Sequence, residues 1–191
     1  MVKRNNMKII LGSKSPRRKE LIEGLGFDYV IRTKDTDESY PTDLATEKVA
    51  EYIAKKKAEA LILDLVEDEL LLCADTVVIV DNEILGKPNN EVEAIEMIAK
   101  LSGKTHDVTT GVALYSNLKK HSFSVTTKVT FKHFTNEEIE FYVSHYKPFD
   151  KAGGYGIQEW IGYIGVTELK GSYFNVVGLP TAEVYEAISR F

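Results

Sequence analysis

The sequence predicts an α/β fold in which helices flank a mixed central sheet and two lobes meet at a cleft. Three observations support this prediction: a short apolar strand leads into a helix near the N-terminus, a long strand of alternating polarity lies past the middle, and helix-start signals recur between the strand patterns. The 191 residues suffice for one large domain with its own core, so we expect a single domain over residues 1–191.

The first half of the chain alternates strands with helices. The apolar run 7–11 predicts a buried strand that ends at Gly12. Pro16 and Gly26 then bracket a helix, because proline is favoured at a helix start and glycine just past its end. The other predictions for this half are a strand at 27–32, a polar loop at 33–42, a helix at 43–63, a strand at 70–80 interrupted at 74–76, and a turn at 81–82.

Capping signals place two helices in the second half, because a polar residue followed three positions later by glutamate satisfies the unpaired amides of a first turn. Between them lie two long strands, of which the second alternates as a half-solvated antiparallel strand does. The predictions are a helix at 91–101 capped by Asn90 and Glu93, strands at 105–115 and 121–132, a helix at 136–145 capped by Thr135 and Glu138, short strands after the glycine-rich stretch 153–156, and a final helix at 181–189.

Composition and charge exclude several classes of function. A formal net charge of −5 argues against nucleic acid or an anionic membrane as a partner. The single cysteine, Cys73, excludes an intrachain disulfide and a multi-cysteine metal site, and its apolar neighbours predict a buried thiol. The apolar run 9–11 is too short for a signal peptide or a membrane span, so we expect a cytoplasmic protein.

The segment from Ser13 to Arg18 has the pattern of an anion site. A strand ends, the chain turns and a helix begins, so that free backbone amides and the positive end of the helix dipole point at the turn. Serine hydroxyls add donors, and the planar guanidinium groups match phosphate oxygens. We expect Ser13 and Arg17 to contact the anion and Arg18 to support the helix. The alternative is a capped helix with a solvated basic first turn.

Two acidic positions are candidates for chemistry. Asp75 lies in an apolar strand, where a carboxylate is costly to bury unless it is hydrogen-bonded, paired or bound to metal. The alternative is an aspartate at a strand end or bulge with local hydrogen bonds. The acidic loop 35–38 offers a second metal ligand, with a solvated loop as the alternative.

Lysines and a glycine-rich segment complete the candidates. Lys57 lies beside the apolar stripe of its helix and can reach inward, whereas most lysines on that helix face solvent. Lys87 follows Gly86, which opens the backbone to a ligand. The segment 150–158 combines charge, glycines and an amide, yet it is neither a P-loop nor a dinucleotide fingerprint, and a glycine-rich hairpin is its alternative.

Taken in order, these segments resemble the Maf family of nucleoside triphosphate pyrophosphatases. The set spans residues 13–180, nearly the whole chain, and is far more specific than any single segment. The matching segments are SKSPRR (13–18), DE (37–38), ADTV (74–77), GKP (86–88), LSGKTH (101–106), TGV (110–112), DKAG (150–153), YGIQ (155–158) and VGLP (177–180).

The resemblance implies a Maf/ITPase-like fold with the active site in the cleft between the lobes. It implies hydrolysis of a nucleoside triphosphate to the monophosphate and pyrophosphate with a divalent cation, Mg²⁺ or Mn²⁺. Asp75 would be the catalytic proton acceptor and, with Glu38, a metal ligand. The other implied site residues are Ser13, Arg17, Lys57, Lys87 and Lys151 for substrate binding, and Arg17, Thr76 and Gln158 for specificity.

The segment 155–158 resembles the branch of the family that acts on dTTP and UTP, and such an enzyme would remove unwanted nucleotides, including modified pyrimidines. Gln158 suits this preference, because its amide accepts from the ring N3–H and donates to a ring carbonyl. A flipped amide would also suit cytosine, so we expect Thr76 to complete the pocket. Glu159 stands where the family usually has glycine, and with Trp160 it is expected to tighten or reshape the base pocket.

Two alternatives stay open at this point. One is the same reaction on another base, such as 7-methyl-GTP. The other is a nucleotide-binding regulator, because the family has also been linked to cell division and septum formation. The complete set of acidic and basic residues favours catalysis, since a pure binder has no need of Asp75 in an apolar strand. A homodimer is implied by the resemblance alone.

Overall fold

A mixed sheet carries the fold. The computed structural model describes residues 7–191, so the start of the predicted domain, residues 1–6, lies outside the described residues. The seven strands in the described part are β1 (Lys8–Leu11), β2 (Tyr29–Ile31), β3 (Glu69–Val80), β4 (Glu83–Leu85), β5 (Thr105–Tyr115), β6 (Lys120–Phe131) and β7 (Val166–Lys170). Their order is β2-β1-β3-β5-β6-β7, with β4 paired to β3. β1 pairs in parallel with β2 and β3, whereas the β3–β4 and β6–β7 pairs are antiparallel.

Helices surround this sheet, and the predicted α/β class is confirmed. They are α1 (Pro16–Gly24), α2 (Thr46–Leu61), α3 (Glu91–Leu101), α4 (Asn136–Tyr146), α5 (Trp160–Gly165), α6 (Tyr173–Val177) and α7 (Thr181–Ile188), with 3₁₀ turns at Ile62–Asp64 and Ala152–Gly154. Across residues 7–191, none of these helices combines the length and the apolar content that crossing a bilayer requires.

The described chain divides into two compact units. The first unit comprises residues 7–75, 110–125 and 178–191, and the second unit comprises residues 76–109 and 126–177. Each unit has a hydrophobic core of its own, and the chain passes from the first unit to the second within β3, between Asp75 and Thr76, and again within β6, between Val125 and Thr126.

The first unit buries both faces of its strands. Alternate residues of a strand point to opposite faces, so Ile9 and Leu70 pack with α1 and α7, whereas Ile10, Leu71 and Cys73 pack with α2. Burial on both faces explains why β3 is apolar at every position from 70 to 74 rather than at every second one.

The second unit packs α3 and α4 into one cluster with residues of the sheet. Val78 of β3, Ile98 of α3, Phe131 of β6 and Tyr142 of α4 all belong to it. Both predicted helix starts are confirmed: α4 has a complete capping box, and α3 is capped by the Asn90 side chain. In α3, however, the Glu93 carboxylate accepts from the Asn89 amide at 2.9 Å instead of closing the box on Asn90.

Two of the predicted elements are wrong in detail. β3 is not interrupted at 74–76 but continues through Asp75, because a lysine partner satisfies that carboxylate and the strand needs no break there. The segment after the glycine-rich stretch forms α5 before it forms β7. A Cβ at Gly162 would lie 1.8 Å from the Ile157 carbonyl oxygen, so this glycine permits a tight helical return that a strand pattern does not reveal.

Candidate active site

The turn between β1 and α1 presents hydroxyls and amides at a helix start. Ser13 is 8% exposed, and its Oγ accepts from the Ser15 amide at 3.2 Å. The Ser15 Oγ in turn accepts from the Arg18 amide at 3.4 Å and caps α1. Arg17 lies half-buried in the first turn. The helix start therefore has the hydroxyls, amides and guanidinium group that an anion site needs.

Gly12 allows this turn to pack directly against β3. A Cβ at this position would lie 2.3 Å from the Cys73 Sγ, so a larger residue cannot be accommodated without a shift. Cys73 is fully buried, as predicted, and burial raises the pKa of its thiol to about 12. The thiol is therefore a neutral packing group beneath the turn.

Arg18 joins the helix start to the C-terminal part of the first unit. Its Nε donates to the Gly178 carbonyl at 2.9 Å, and its Nη1 donates to the Ser13 Oγ at 3.4 Å. Burial lowers the pKa of Arg18, and the nearby Asp75 carboxylate acts in the opposite direction. These contacts support Ser13, whereas sequence reasoning gave Arg18 only a role in the helix.

Lys57 links the two predicted metal ligands. Its Nζ lies 2.7 Å from the Asp75 Oδ1 and 2.7 Å from the Glu38 Oε1. The side chains of Lys57 and Asp75 are 17% and 12% exposed, whereas that of Glu38 is 48% exposed. Within the described residues, the second oxygen of Asp75, Oδ2, accepts no hydrogen bond. Asp75 is thus a shielded, charge-paired carboxylate that keeps one oxygen open.

The loop that carries Glu38 is fixed from both sides of that residue. Lys56 Nζ lies 3.2 Å from the Asp37 Oδ2 and donates to the Ser39 carbonyl at 2.8 Å. The hydroxyl and amide of Ser39, together with Lys56, lower the pKa of Asp37 to about 2. Adjacent lysines of α2 therefore hold adjacent carboxylates of the loop.

Glu38 and Asp75 offer part of the oxygen ligands that a divalent cation needs. No group of three or more histidine, cysteine, aspartate or glutamate side chains within residues 7–191 is arranged to hold a metal ion. Glu38 and Asp75 both contact the ammonium group of Lys57, so the two carboxylates lie close to the same positive charge. This pair does not fit a closed all-protein cage, but it fits Mg²⁺, which commonly takes one or two carboxylates and completes its shell with water and phosphate oxygens.

Lys151 lies in a second charged cluster, which sequence reasoning largely missed. Its Nζ lies 2.7 Å from the Asp150 Oδ1 and 3.1 Å from the Glu159 Oε1. The hydroxyl of Tyr142 donates to the other Glu159 oxygen, Oε2. The sequence signals for this cluster were the charged segment 150–158 and Glu159 in place of the family's glycine, whereas Tyr142 has the pattern of an ordinary core residue of an amphipathic helix.

The remaining predicted site residues lie in the second unit. Thr76 is half-buried and follows Asp75 on β3. Gln158 is also half-buried, and its amide group has no hydrogen-bond partner among residues 7–191. Lys87 is exposed, in a turn that is tied to the glycine-rich stretch because the Gly153 amide donates to the Gly86 carbonyl at 2.9 Å.

His106 anchors the same glycine-rich stretch from β5. Its Nε2 lies 2.7 Å from the Tyr155 hydroxyl, and its Nδ1 is buried with no hydrogen-bond partner in the described part of the chain. Burial lowers the pKa of His106 to about 4. In the sequence His106 is only the last residue of the segment LSGKTH (101–106), and its supporting contact depends on the fold.

Comparison with known proteins gives one consistent family. Residues 8–191 match the family described as Maf-like protein. A curated relative from Bacteroides thetaiotaomicron, named dTTP/UTP pyrophosphatase, is 50% identical over 183 residues, which cover 95% of each chain. Relatives with the same name from Phocaeicola vulgatus and Flavobacterium psychrophilum are 51% and 48% identical; the matches cover 96% and 94% of this chain and 95% and 92% of theirs. A solved structure of the Staphylococcus aureus Ham1 protein is 16% identical with a TM-score of 0.49, covering 65% of this chain and 71% of that one.

Proposed function

The chain belongs to the Maf family, and from this premise we propose that it hydrolyses dTTP and UTP to the monophosphate and pyrophosphate. The names of its relatives at about 50% identity support this substrate choice. Modified pyrimidine nucleotides are included in the proposal, since the activity would remove unwanted nucleotides. The observation in the structure that carries the proposal is Asp75, a shielded carboxylate with one oxygen on Lys57 and the other open.

Asp75 is the proposed proton acceptor. A water molecule held by its open oxygen attacks the α-phosphorus, the bond between that phosphorus and the bridging oxygen breaks, and pyrophosphate leaves. The proton lost by the water passes to Asp75, which general-base catalysis requires to lie within hydrogen-bond reach. Lys57 contributes a positive charge 2.7 Å from the carboxylate, so the shielded Asp75 has a charged partner.

The phosphate groups are the proposed ligands of the α1 start and of the lysines. Ser13 and Arg17 provide a hydroxyl and a planar guanidinium group, and the helix amides add partial positive charge. Lys57, Lys87 and Lys151 add point charges that stabilise the negative charge developing on the leaving pyrophosphate.

Glu38 and Asp75 are the residues that would hold a divalent cation, Mg²⁺ or Mn²⁺. Such an ion supplies Lewis-acid polarisation of the phosphate when it is bound. The carboxylates of this pair provide the charge and oxygen chemistry that the ion prefers, and both lie 2.7 Å from the ammonium nitrogen of Lys57.

Gln158 is the proposed reader of the pyrimidine, with Thr76 and Arg17 contributing to specificity. Its amide is half-buried and has no partner among the described residues, so both its donor and its acceptor are open to a base edge. We further infer one functional domain over residues 1–191, a cytoplasmic location, and a homodimer, with neither nucleic acid nor membrane as a partner.

A pyrophosphate-release assay tests the proposal. The protein is given dTTP, UTP, CTP, dATP and 7-methyl-GTP, each with Mg²⁺ or Mn²⁺, and we expect release to be fastest with dTTP and UTP. A preference for a purine would refute the assignment of Gln158. Binding of nucleotide without release from any of them would favour a regulator instead.

A further inference from the structure

Glu159 uses both of its carboxylate oxygens within the second unit. One oxygen, Oε1, lies 3.1 Å from the Lys151 Nζ. The other, Oε2, accepts from the Tyr142 hydroxyl, and the same hydroxyl accepts from the Gly156 amide at 3.0 Å. A continuous chain of contacts therefore runs from the ammonium of Lys151 through Glu159 and Tyr142 to the backbone two residues before Gln158.

This chain of contacts is shielded from solvent. The side chains of Lys151 and Glu159 are 10% and 19% exposed, and Tyr142 is fully buried on α4. Burial and the hydrogen bond to Glu159 raise the pKa of Tyr142, so its hydroxyl stays protonated and remains a donor. Because every partner is already desolvated, each contact favours one side-chain geometry instead of exchanging with water.

Gly156 is packed into the same cluster. A Cβ on this residue would lie 2.9 Å from the Glu159 Oε2 and 3.1 Å from the Lys151 Cε. The backbone thus approaches the ion pair as closely as a glycine allows. The Glu159 amide also donates to the Gly156 carbonyl at 3.0 Å, which closes the segment between them into a turn that contains Gln158.

We propose that Glu159 is a positioning residue for the reaction, an inference that rests on the proposed function. It holds the Lys151 ammonium in place for a phosphate and, through Tyr142 and Gly156, fixes the turn that presents Gln158. In this proposal Glu159 reshapes the base pocket through the turn that carries Gln158, while the Trp160 ring packs edge-on against Phe141 of α4 at 4.8 Å.

The test compares Glu159→Gln and Glu159→Gly with the matched control Glu23→Gln. Glu23 also accepts from a tyrosine hydroxyl, that of Tyr29 at 2.7 Å, but its contact is exposed and lies in the first unit. The measurements are kcat and KM for dTTP, UTP and CTP, the melting temperature, and the rate at which an amine-acylating reagent labels Lys151, followed by mass spectrometry.

For Glu159→Gln we expect KM for dTTP to rise about tenfold while kcat stays within about threefold, because Lys151 loses its shielded charged partner and keeps only the exposed Asp150, whereas Asp75 is untouched. For Glu159→Gly we also expect a reduced preference for UTP over CTP and severalfold faster labelling of Lys151, since the turn loses both contacts. Glu23→Gln should match the wild type in kcat, in KM, in melting temperature and in the labelling rate of Lys151.

The proposal is overturned if both Glu159 variants keep wild-type KM, base preference and Lys151 labelling, or if they lower only the melting temperature. Should Glu159→Gly fail to fold, Glu159→Gln decides, because it keeps an acceptor for Tyr142. If the wild-type protein releases pyrophosphate from no triphosphate, the proposed function has failed, and the labelling of Lys151 still shows whether Glu159 positions it.

Discussion

Lys57 and Lys151 each lie between one exposed and one shielded carboxylate, but their shielded partners differ. Asp75, the shielded partner of Lys57, places one oxygen on the lysine, and its other oxygen accepts no hydrogen bond from the described residues. Glu159, the shielded partner of Lys151, gives its second oxygen to the Tyr142 hydroxyl. Two clusters, each of one lysine, one aspartate and one glutamate, thus differ in the hydrogen bond made by the second oxygen of the shielded carboxylate.

That hydrogen bond separates two roles. A carboxylate with an open oxygen can hold a water molecule or a cation, and its paired lysine balances its charge. A carboxylate whose two oxygens each contact a neighbouring group is held in one geometry, and it in turn holds those groups in place. The comparison therefore assigns chemistry to Asp75 and positioning to Glu159, and each of the following experiments tests one side of it.

The largest effect is expected for Asp75→Asn. The amide cannot take a proton from water, so kcat should fall roughly 100-fold or more while the protein stays folded. Steady-state pyrophosphate release and the melting temperature are the measurements. The control is Glu159→Gln, for which kcat should be nearly normal. Equal losses of kcat in the two variants would contradict the different roles of Asp75 and Glu159.

The free energy of unfolding should depend on pH through His106, which contacts the glycine-rich stretch. The pKa of His106 is lowered to about 4, so below its ordinary value of 6.5 the unfolded chain binds a proton that the folded chain does not. Stability is therefore full above pH 6.5 and is lost as the pH falls, by about 3 kcal/mol between pH 6.5 and 4. Urea unfolding at several pH values measures this loss.

His106→Gln should flatten that pH dependence, because glutamine does not titrate. Substituting the exposed His121 by glutamine is the control and should leave the dependence unchanged. The same slope in wild type and His106→Gln would mean that other groups cause the acid sensitivity.

Tyr142→Phe removes the hydrogen bond that distinguishes the two carboxylates. It leaves a buried Gly156 amide and one Glu159 oxygen without their partner, so we expect the free energy of unfolding to fall by about 1–3 kcal/mol. Tyr29→Phe removes an exposed hydrogen bond between a tyrosine and a glutamate, so it should lower the free energy of unfolding far less. Denaturant unfolding of both variants checks the difference, and equal losses would contradict the buried network.

The smallest effect is expected for Asp37→Asn. This change weakens the contact that Lys56 and Ser39 make with the loop, but Glu38 keeps its own pair with Lys57. We expect KM for the metal–nucleotide complex to rise by about twofold, as is usual for a solvent-exposed contact. Because the pKa of Asp37 is lowered to about 2, its contacts persist as the pH falls until close to that value. A titration with Mg²⁺ measures the change, and a loss approaching that of Asp75→Asn would contradict this ranking.

Much of the fold follows from local sequence patterns. The strand at 105–115 and the helix at 91–101 match the structure at both ends, and capping residues define the helix without help from distant parts of the chain. The predicted strand at 27–32 shortens to Tyr29–Ile31, and α5 replaces a predicted strand. Both depend on what the segment packs against, which no local pattern records.

The residues of the candidate site also differ in whether the local sequence could predict them. Asp75 and Lys57 were predicted because an aspartate in an apolar strand and a lysine beside a buried helix stripe are locally unusual. Arg18 and Tyr142 were given little or no role. Their partners, Gly178 and Glu159, are distant in sequence, and neither residue is unusual for a helix.

The contact between Gly12 and the Cys73 sulfur constrains how this protein can evolve. Neither position reacts with substrate in the proposed mechanism, yet the volume of one sets the volume allowed at the other, and Ser13 follows immediately in the chain. A substitution that enlarges residue 12 therefore requires a compensating loss at residue 73 if the phosphate-binding turn is to keep its place. Drift at these two sites should occur in pairs, and a library that randomises both together should recover active combinations that single-site libraries discard.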